Sequence, residues 1–109
     1  LEEAAEPYRG ATLKVGVAFV PVVGGILPLI KNDFTPRTGI KVKVEKFTHS
    51  EWDAKGDADL YSRTGYFDLV MMHHNRAEDW AGNGHVEWIN KYMNDPKLRD
   101  PDLDPGDFL

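Results

Sequence analysis

The sequence predicts an α/β fold: an open, mainly parallel sheet with helices on both faces. Three observations predict it. Strand-like and helix-like patterns alternate along the 109 residues in the order β-α-β-α-β-α. The third strand pattern, Phe67-Asp-Leu-Val-Met-Met-His73, is nearly continuously apolar, as expected of a parallel strand buried on both faces. Right-handed crossovers between successive strands then make the sheet parallel.

The elements follow in order. Residues 1–11, with Glu2, Glu3, Glu6, Pro7 and Gly10, read as a loose polar lead-in. From Thr12 to Phe19, Leu13, Val15, Val17 and Phe19 alternate with mostly small residues, which predicts a strand covered on both faces. Val20 to Gly25 reads as a turn-rich loop. A helix over 26–37 is expected behind it, with Pro28 tolerated in its first turn and Gly39 as its stop. Ile40 to Phe47 is the cleanest strand, with Ile40, Val42 and Val44 opposite Lys41, Lys43 and Glu45; the charged side marks an edge. Ser50 and Asp53 predict a capping box opening a second helix that Thr64-Gly65 ends. After the third strand come a short helix around 77–81, a stop at Gly82-Asn83-Gly84, and a mixed segment from Val86 to Met93. An acidic, Pro-rich tail over 94–109 is expected to wrap the surface.

Composition excludes several functions. A net charge of −5 without a basic stripe argues against nucleic acid as a partner. Without cysteine there is no disulfide, thiolate zinc site or cysteine nucleophile. The apolar stretch from Val15 to Ile30 is too short, and too broken by Gly and Pro, to span a bilayer. The chain starts at Leu1 with neither an initiator Met nor an apolar signal core, and ends on Phe108-Leu109. The expectation is a fragment, or a chain whose leader has been removed.

In an open parallel sheet, ligands bind where the strands finish. That directs attention to 20–25, 48–52 and 73–80, which mix aromatic, amide, imidazole and guanidinium groups. The mixture suits a neutral polar solute, with Trp52 or Trp80 covering the apolar face of a sugar and Asn75 and Arg76 meeting its hydroxyls. Plainer readings stand beside these. Trp80 can be core, Arg76 can pair with Glu78 or Asp79, and Gly24-Gly25 can be a simple turn, although amides at the following helix start could receive oxygen. His49, His73, His74 and His85 allow an alternative, a histidine-based metal module, but adjacent strand residues such as His73 and His74 face opposite sides. Asp100-x-Asp102-x-Asp104 has a calcium loop's acids with its glycine one place late, and reads as a solvated loop. A small doubly wound interaction domain is the other alternative. No catalytic set, cofactor site or metal ligand set is assigned.

Taken together, Thr12-Leu-Lys-Val-Gly-Val-Ala-Phe19, Phe34-Thr-Pro-Arg-Thr-Gly-Ile-Lys-Val-Lys-Val-Glu45 and Thr64-Gly-Tyr-Phe-Asp-Leu-Val-Met-Met-His-His-Asn-Arg76 resemble the opening of the periplasmic solute-binding proteins of ABC importers. The run from Asp95 to Phe108 is similar to the acidic passage of sugar-binding members. The resemblance implies a two-lobed receptor of which residues 1–109 form part of the N-terminal lobe, with the first strand between the second and third. It implies a non-enzymatic, periplasmic protein freed of its signal peptide, partnered by a carbohydrate and by permease subunits. Maltose-type members give the sugar an aromatic, an acidic residue and an arginine from the loop after the third strand. Those places look like Met72, Asn75 and Arg76, of which only the arginine keeps the family's type. The expected ligand set is Val20, Gly24, Trp52, Met72, His74, Asn75 and Arg76. Two unpaired sheet edges also lead us to expect a homo-oligomer or strand-exchanged dimer.

Overall fold

A computed structural model describes residues 1–107. Its centre is a three-stranded parallel sheet of β1 (Thr12–Ala18), β2 (Lys41–Phe47) and β3 (Leu69–Val70), in the order β2-β1-β3. The register runs from Thr12 opposite Lys41 to Ala18 opposite Phe47, and pairs Val15 with Leu69 and Gly16 with Val70. The crossover from β1 to β2 moves one way across the sheet and that from β2 to β3 moves back. Two right-handed crossovers of opposite travel place their helices on opposite faces.

The chain opens with α1 (Glu2–Ala5) and a 3-10 turn (Glu6–Tyr8), where the sequence reads as a loose lead-in. Two contacts explain the order: Ala5 is buried, and Glu2 pairs with Arg37 at 2.8 Å. Between β1 and β2 the expected 20–25 loop is absent. Here α2 (Pro21–Leu29) begins directly after extended Val20, with Pro21 in its first turn, where a missing N–H costs nothing. Gly24 and Gly25 therefore lie inside a helix, and Pro28 falls beyond its first turn. Proline there leaves the carbonyl of Gly24 without its usual donor and crowds it, and such interruptions widen a helix. A π turn follows at once (Ile30–Phe34), and the Thr35 amide reaches back five residues to the Ile30 carbonyl. The helix then closes as α3 (Thr35–Thr38), ended by Gly39 at φ 70° as its sequence predicts.

Helix α4 (His49–Ser62) is capped by Thr48, two residues before the expected cap Ser50. Thr48 accepts from the Glu51 amide at 3.3 Å, and the Glu51 carboxylate accepts from the Thr48 amide at 2.9 Å. Arg63 ends the helix in the left-handed region at φ 55°. Helix α5 (His74–Gly82) starts earlier than its predicted 77–81, and α6 (Asn90–Met93) is a single turn. In the tail, Asp95, Asp100 and Asp104 each accept a hydrogen bond from the amide two residues on, at 2.8–3.0 Å. These carboxylates stiffen their own turns, as in Asx turns, so Asp100 and Asp104 of the calcium-like spacing serve the local backbone. The expectation that the chain finishes on an apolar pair concerns Phe108 and Leu109, outside the described residues.

The core is aromatic and lies on the α4 side. Trp52 and Trp80 are fully buried, their ring centroids 6.4 Å apart and their planes at 83°. Gly16 and Gly56 make this possible. A Cβ on Gly16 would stand 2.3 Å from the Trp52 ring, and one on Gly56 would stand 2.7 Å from that of Trp80. Both indole N–H groups donate, Trp52 to the Met71 carbonyl at 2.7 Å and Trp80 to Asp57 at 2.9 Å. Burial of β3 on both faces is overturned: Leu69 is 56% exposed, because α4 and α5 gather on one side and no described helix covers β3 on the other.

Candidate functional site

Parallel strands finish on one edge of the sheet, and three helices begin there: α2 after Val20, α4 after Thr48 and α5 after His73. The amides of a helix start carry partial positive charge and lack intrahelical acceptors. At α4 the Thr48–Glu51 box satisfies them, and these hydrogen bonds hold the Glu51 carboxyl below the usual carboxylate range. At α2 and α5 no side chain caps the helix. Pro21 has no N–H, and the Val23 and Arg76 amides donate to the Val20 and His73 carbonyls, each at 2.9 Å, so the first-turn amides left to the rim are those of Val22 at α2 and of His74 and Asn75 at α5.

Two histidines, His49 and His73, stack on this rim with centroids 4.7 Å apart and planes at 14°. His73 Nδ1 lies 3.2 Å from Asp53 Oδ1, and its Nε2 is buried without a hydrogen-bond partner among the described residues. In the sequence His49 figures only among the four histidines of the metal-module alternative and Asp53 only as a capping residue, and nothing there pairs either of them with His73. The usable signal was Thr48-His-Ser-Glu51, a stricter capping-box match than Ser50 with Asp53, since it begins α4 at His49 and faces it toward His73. Among the described residues, no group of three or more His, Asp or Glu is placed to hold a metal ion.

The expected ligand residues divide. Val20, Met72, His74 and Asn75 all reach the rim. Val20 is the half-buried residue before α2, Met72 is 41% exposed in the β3–α5 connection, and His74 and Asn75 open α5 exposed. Arg76 follows half-buried, paired with Asp57 at 3.1 Å instead of the expected Glu78 or Asp79. Asp79 is occupied by the Tyr61 hydroxyl at 2.6 Å and the Asn83 amide at 2.8 Å. Gly24 is corrected from a loop position to an exposed helical one. Trp52 is corrected outright: Phe47 stacks on it at 5.8 Å and Phe67 and Trp80 meet it edge-on, so no face is left for a sugar. Trp80 is core, as its plainer reading has it. The exposed aromatic at this edge is Phe19, 57% open, with the Lys46 ammonium 5.3 Å from its ring centroid.

Fold and rim together define a class, an α/β unit with a three-stranded parallel open sheet and three helix starts at its strand ends. No protein-family model, curated protein or solved structure matches the chain.

Proposed function

We propose that the chain is the solute-binding component of an ABC import system, or a piece of one, and that its rim is half of a cleft for a small polar solute, a sugar or oligosaccharide. The observation that carries this reading is the convergence of two uncapped helix starts, at Val20 and His73, on an edge that also exposes Phe19, Met72, His74 and Asn75. Free amides offer donors to hydroxyl oxygens, Asn75 adds a donor and an acceptor, and Phe19 or Met72 offers apolar surface to a sugar face. Arg76 is held by Asp57, more than two turns into α4, and so serves this reading by fixing the start of α5 against α4. No bond is made or broken in this role. A second lobe would close over the bound solute, and the solute's contacts with both would favour the closed state that permease subunits sense, in the periplasm.

The test is amide-resolved NMR of the chain titrated with maltose and maltotriose, because half a cleft binds weakly, in the millimolar range. Shifts are expected at residues 19–22 and 72–76, and Asn75→Ala should weaken them severalfold. Shifts scattered over the surface, or none in that concentration range, would sink the reading.

A further inference from the structure

Strand β2 forms one edge of the sheet, with no strand on its outer side among the described residues. The Lys41 amide donates to the Ala11 carbonyl at 2.9 Å, and the Phe47 carbonyl accepts from the Phe19 amide at 2.7 Å. Alternate residues of a parallel strand turn to the same neighbour, so Lys41, Lys43, Glu45 and Phe47 pair with β1. Val42, Val44 and Lys46 therefore turn their N–H and C=O groups to the open side. A crevice runs along this edge on each face of the sheet. On the α2 side, Leu27, Ile30, Val42 and Val44 line one of about 370 Å3. On the α4 side, Glu45, Phe47, Lys55, Tyr66 and Phe67 line another of about 450 Å3. The edge is also basic, in a chain of net charge −5. Strand β2 carries Lys41, Lys43 and Lys46 against Glu45, and Lys31 and Lys55 line the crevices. None of these lysines is in an ion pair among the described residues. Lys43 lies directly opposite Lys14 of β1, a like-charge pair that costs stability until an anion relieves it.

We infer that the open side of β2 receives, as an added strand, an extended peptide segment of another protein in which acidic residues alternate with apolar ones. Each feature of the edge sets one property of that occupant. The main-chain groups of Val42, Val44 and Lys46 require an extended partner, because a strand presents donors and acceptors at their spacing. Successive side chains of such a partner fall on opposite faces, so one set meets each crevice. The set on the α2 side meets Leu27, Ile30, Val42 and Val44, and is apolar. The set on the α4 side meets Phe47 and Lys55 in one crevice, with Lys43 on the same side of the strand. Glutamate suits it, with methylenes against the ring and a carboxylate for the ammonium groups. Lysines on an edge strand turn most other strands away, and an acidic strand is the exception. Glu45, the one acid of β2, has its carboxylate engaged by the Tyr66 hydroxyl at 2.5 Å. The inference stands apart from the solute reading, because it uses the side of β2 while the rim lies at the end of the strand.

Fluorescence anisotropy of a labelled synthetic octapeptide, four Glu-Val repeats, titrated with the chain tests it. Saturable binding is expected, with a Kd on the order of 10–100 micromolar. A block peptide of the same composition, four glutamates and then four valines, should bind at least tenfold more weakly. N-methylation is the sharper arm, because only alternate amides of an added strand face β2. Methylating every glutamate amide in one peptide, and every valine amide in another, should abolish binding for one and leave the other within twofold. Lys43→Glu should weaken binding at least tenfold. It exchanges a like-charge pair with Lys14 for an opposite one, and an unchanged near-ultraviolet circular dichroism spectrum will verify the fold. The methylated peptides need no variant, so they decide the matter on the unaltered chain. No binding at millimolar chain, equal binding of the block peptide, two methylated peptides that behave alike, or a folded Lys43→Glu chain that binds undiminished would overturn the inference. So would self-association of the chain that Val44→Pro abolishes, which would assign the edge to a second copy.

Discussion

The two faces of the sheet use glycine in opposite ways. On the α4 side, Gly16 and Gly56 are buried against Trp52 and Trp80, and the missing side chains are what let two indoles fill the space between sheet and helices. On the α2 side, Gly24 and Gly25 touch nothing, and the helix that holds them leaves Val22, Ile26 and Leu29 in water. The same residue type marks dense packing on one face and an uncovered surface on the other. A glycine read from sequence therefore says little until it is known what stands opposite it.

The comparison breaks most sharply at Gly16. Gly16→Val would drive a branched side chain into the Trp52 and Phe67 rings, so a loss of about 3 kcal/mol or more is expected, read as a collapse of the urea midpoint. A fully folded variant of near wild-type stability would mean that the dense face can reorganise.

A smaller effect is expected at Asp59, which ties the end of α4 to the following turn on that face. Its carboxylate accepts from the Thr64 hydroxyl and from the Tyr66 and Phe67 amides, the latter two at 3.0 and 3.3 Å. Burial pushes this carboxyl up, but the three hydrogen bonds outweigh it and leave it below 3.8. The stabilisation is thus present above pH 3.8 and lost as pH falls through the lower folded value. Asp59→Asn should cost about 1–3 kcal/mol at neutral pH and flatten the acid limb of a stability–pH curve. An unchanged acid limb would remove Asp59 from that role.

The smallest change, of opposite sign, belongs to the other face. Gly24→Ala meets no atom and lowers the entropy of the unfolded chain, so a gain of about 0.5–1 kcal/mol is expected in thermal melting. Destabilisation there would mean that α2 is more closely covered than its exposure indicates.

Much of the backbone was legible in the sequence because it rests on local rules. The alternation from Leu13 to Val17 and from Ile40 to Val44, and the glycine stop at Gly39, are signals that need no knowledge of the rest of the fold. What stayed hidden depends on distant partners. Gly56 looks like a flaw in α4 until Trp80 is known to lie over it. Trp52 looks like a platform for a ligand until Phe47, Phe67 and Trp80 close around it. The Val20–Gly25 run carries turn residues, and only its continuation through the π turn at 30–34 shows it to be helical. The rim is visible in outline from the strand ends, while its histidine pair depends on the first residue of α4 and the last residue before α5 meeting in space.

The buried indoles have an optical consequence. Trp52 and Trp80 are held nearly perpendicular at 6.4 Å, each anchored by its N–H, so their excited states couple in a fixed chiral geometry. Trp88, 71% exposed, is free of that environment. Dissolved iodide can therefore dim the emission of one tryptophan while leaving the signature of the other two intact, so the chain carries its own paired dye and its own reference lamp.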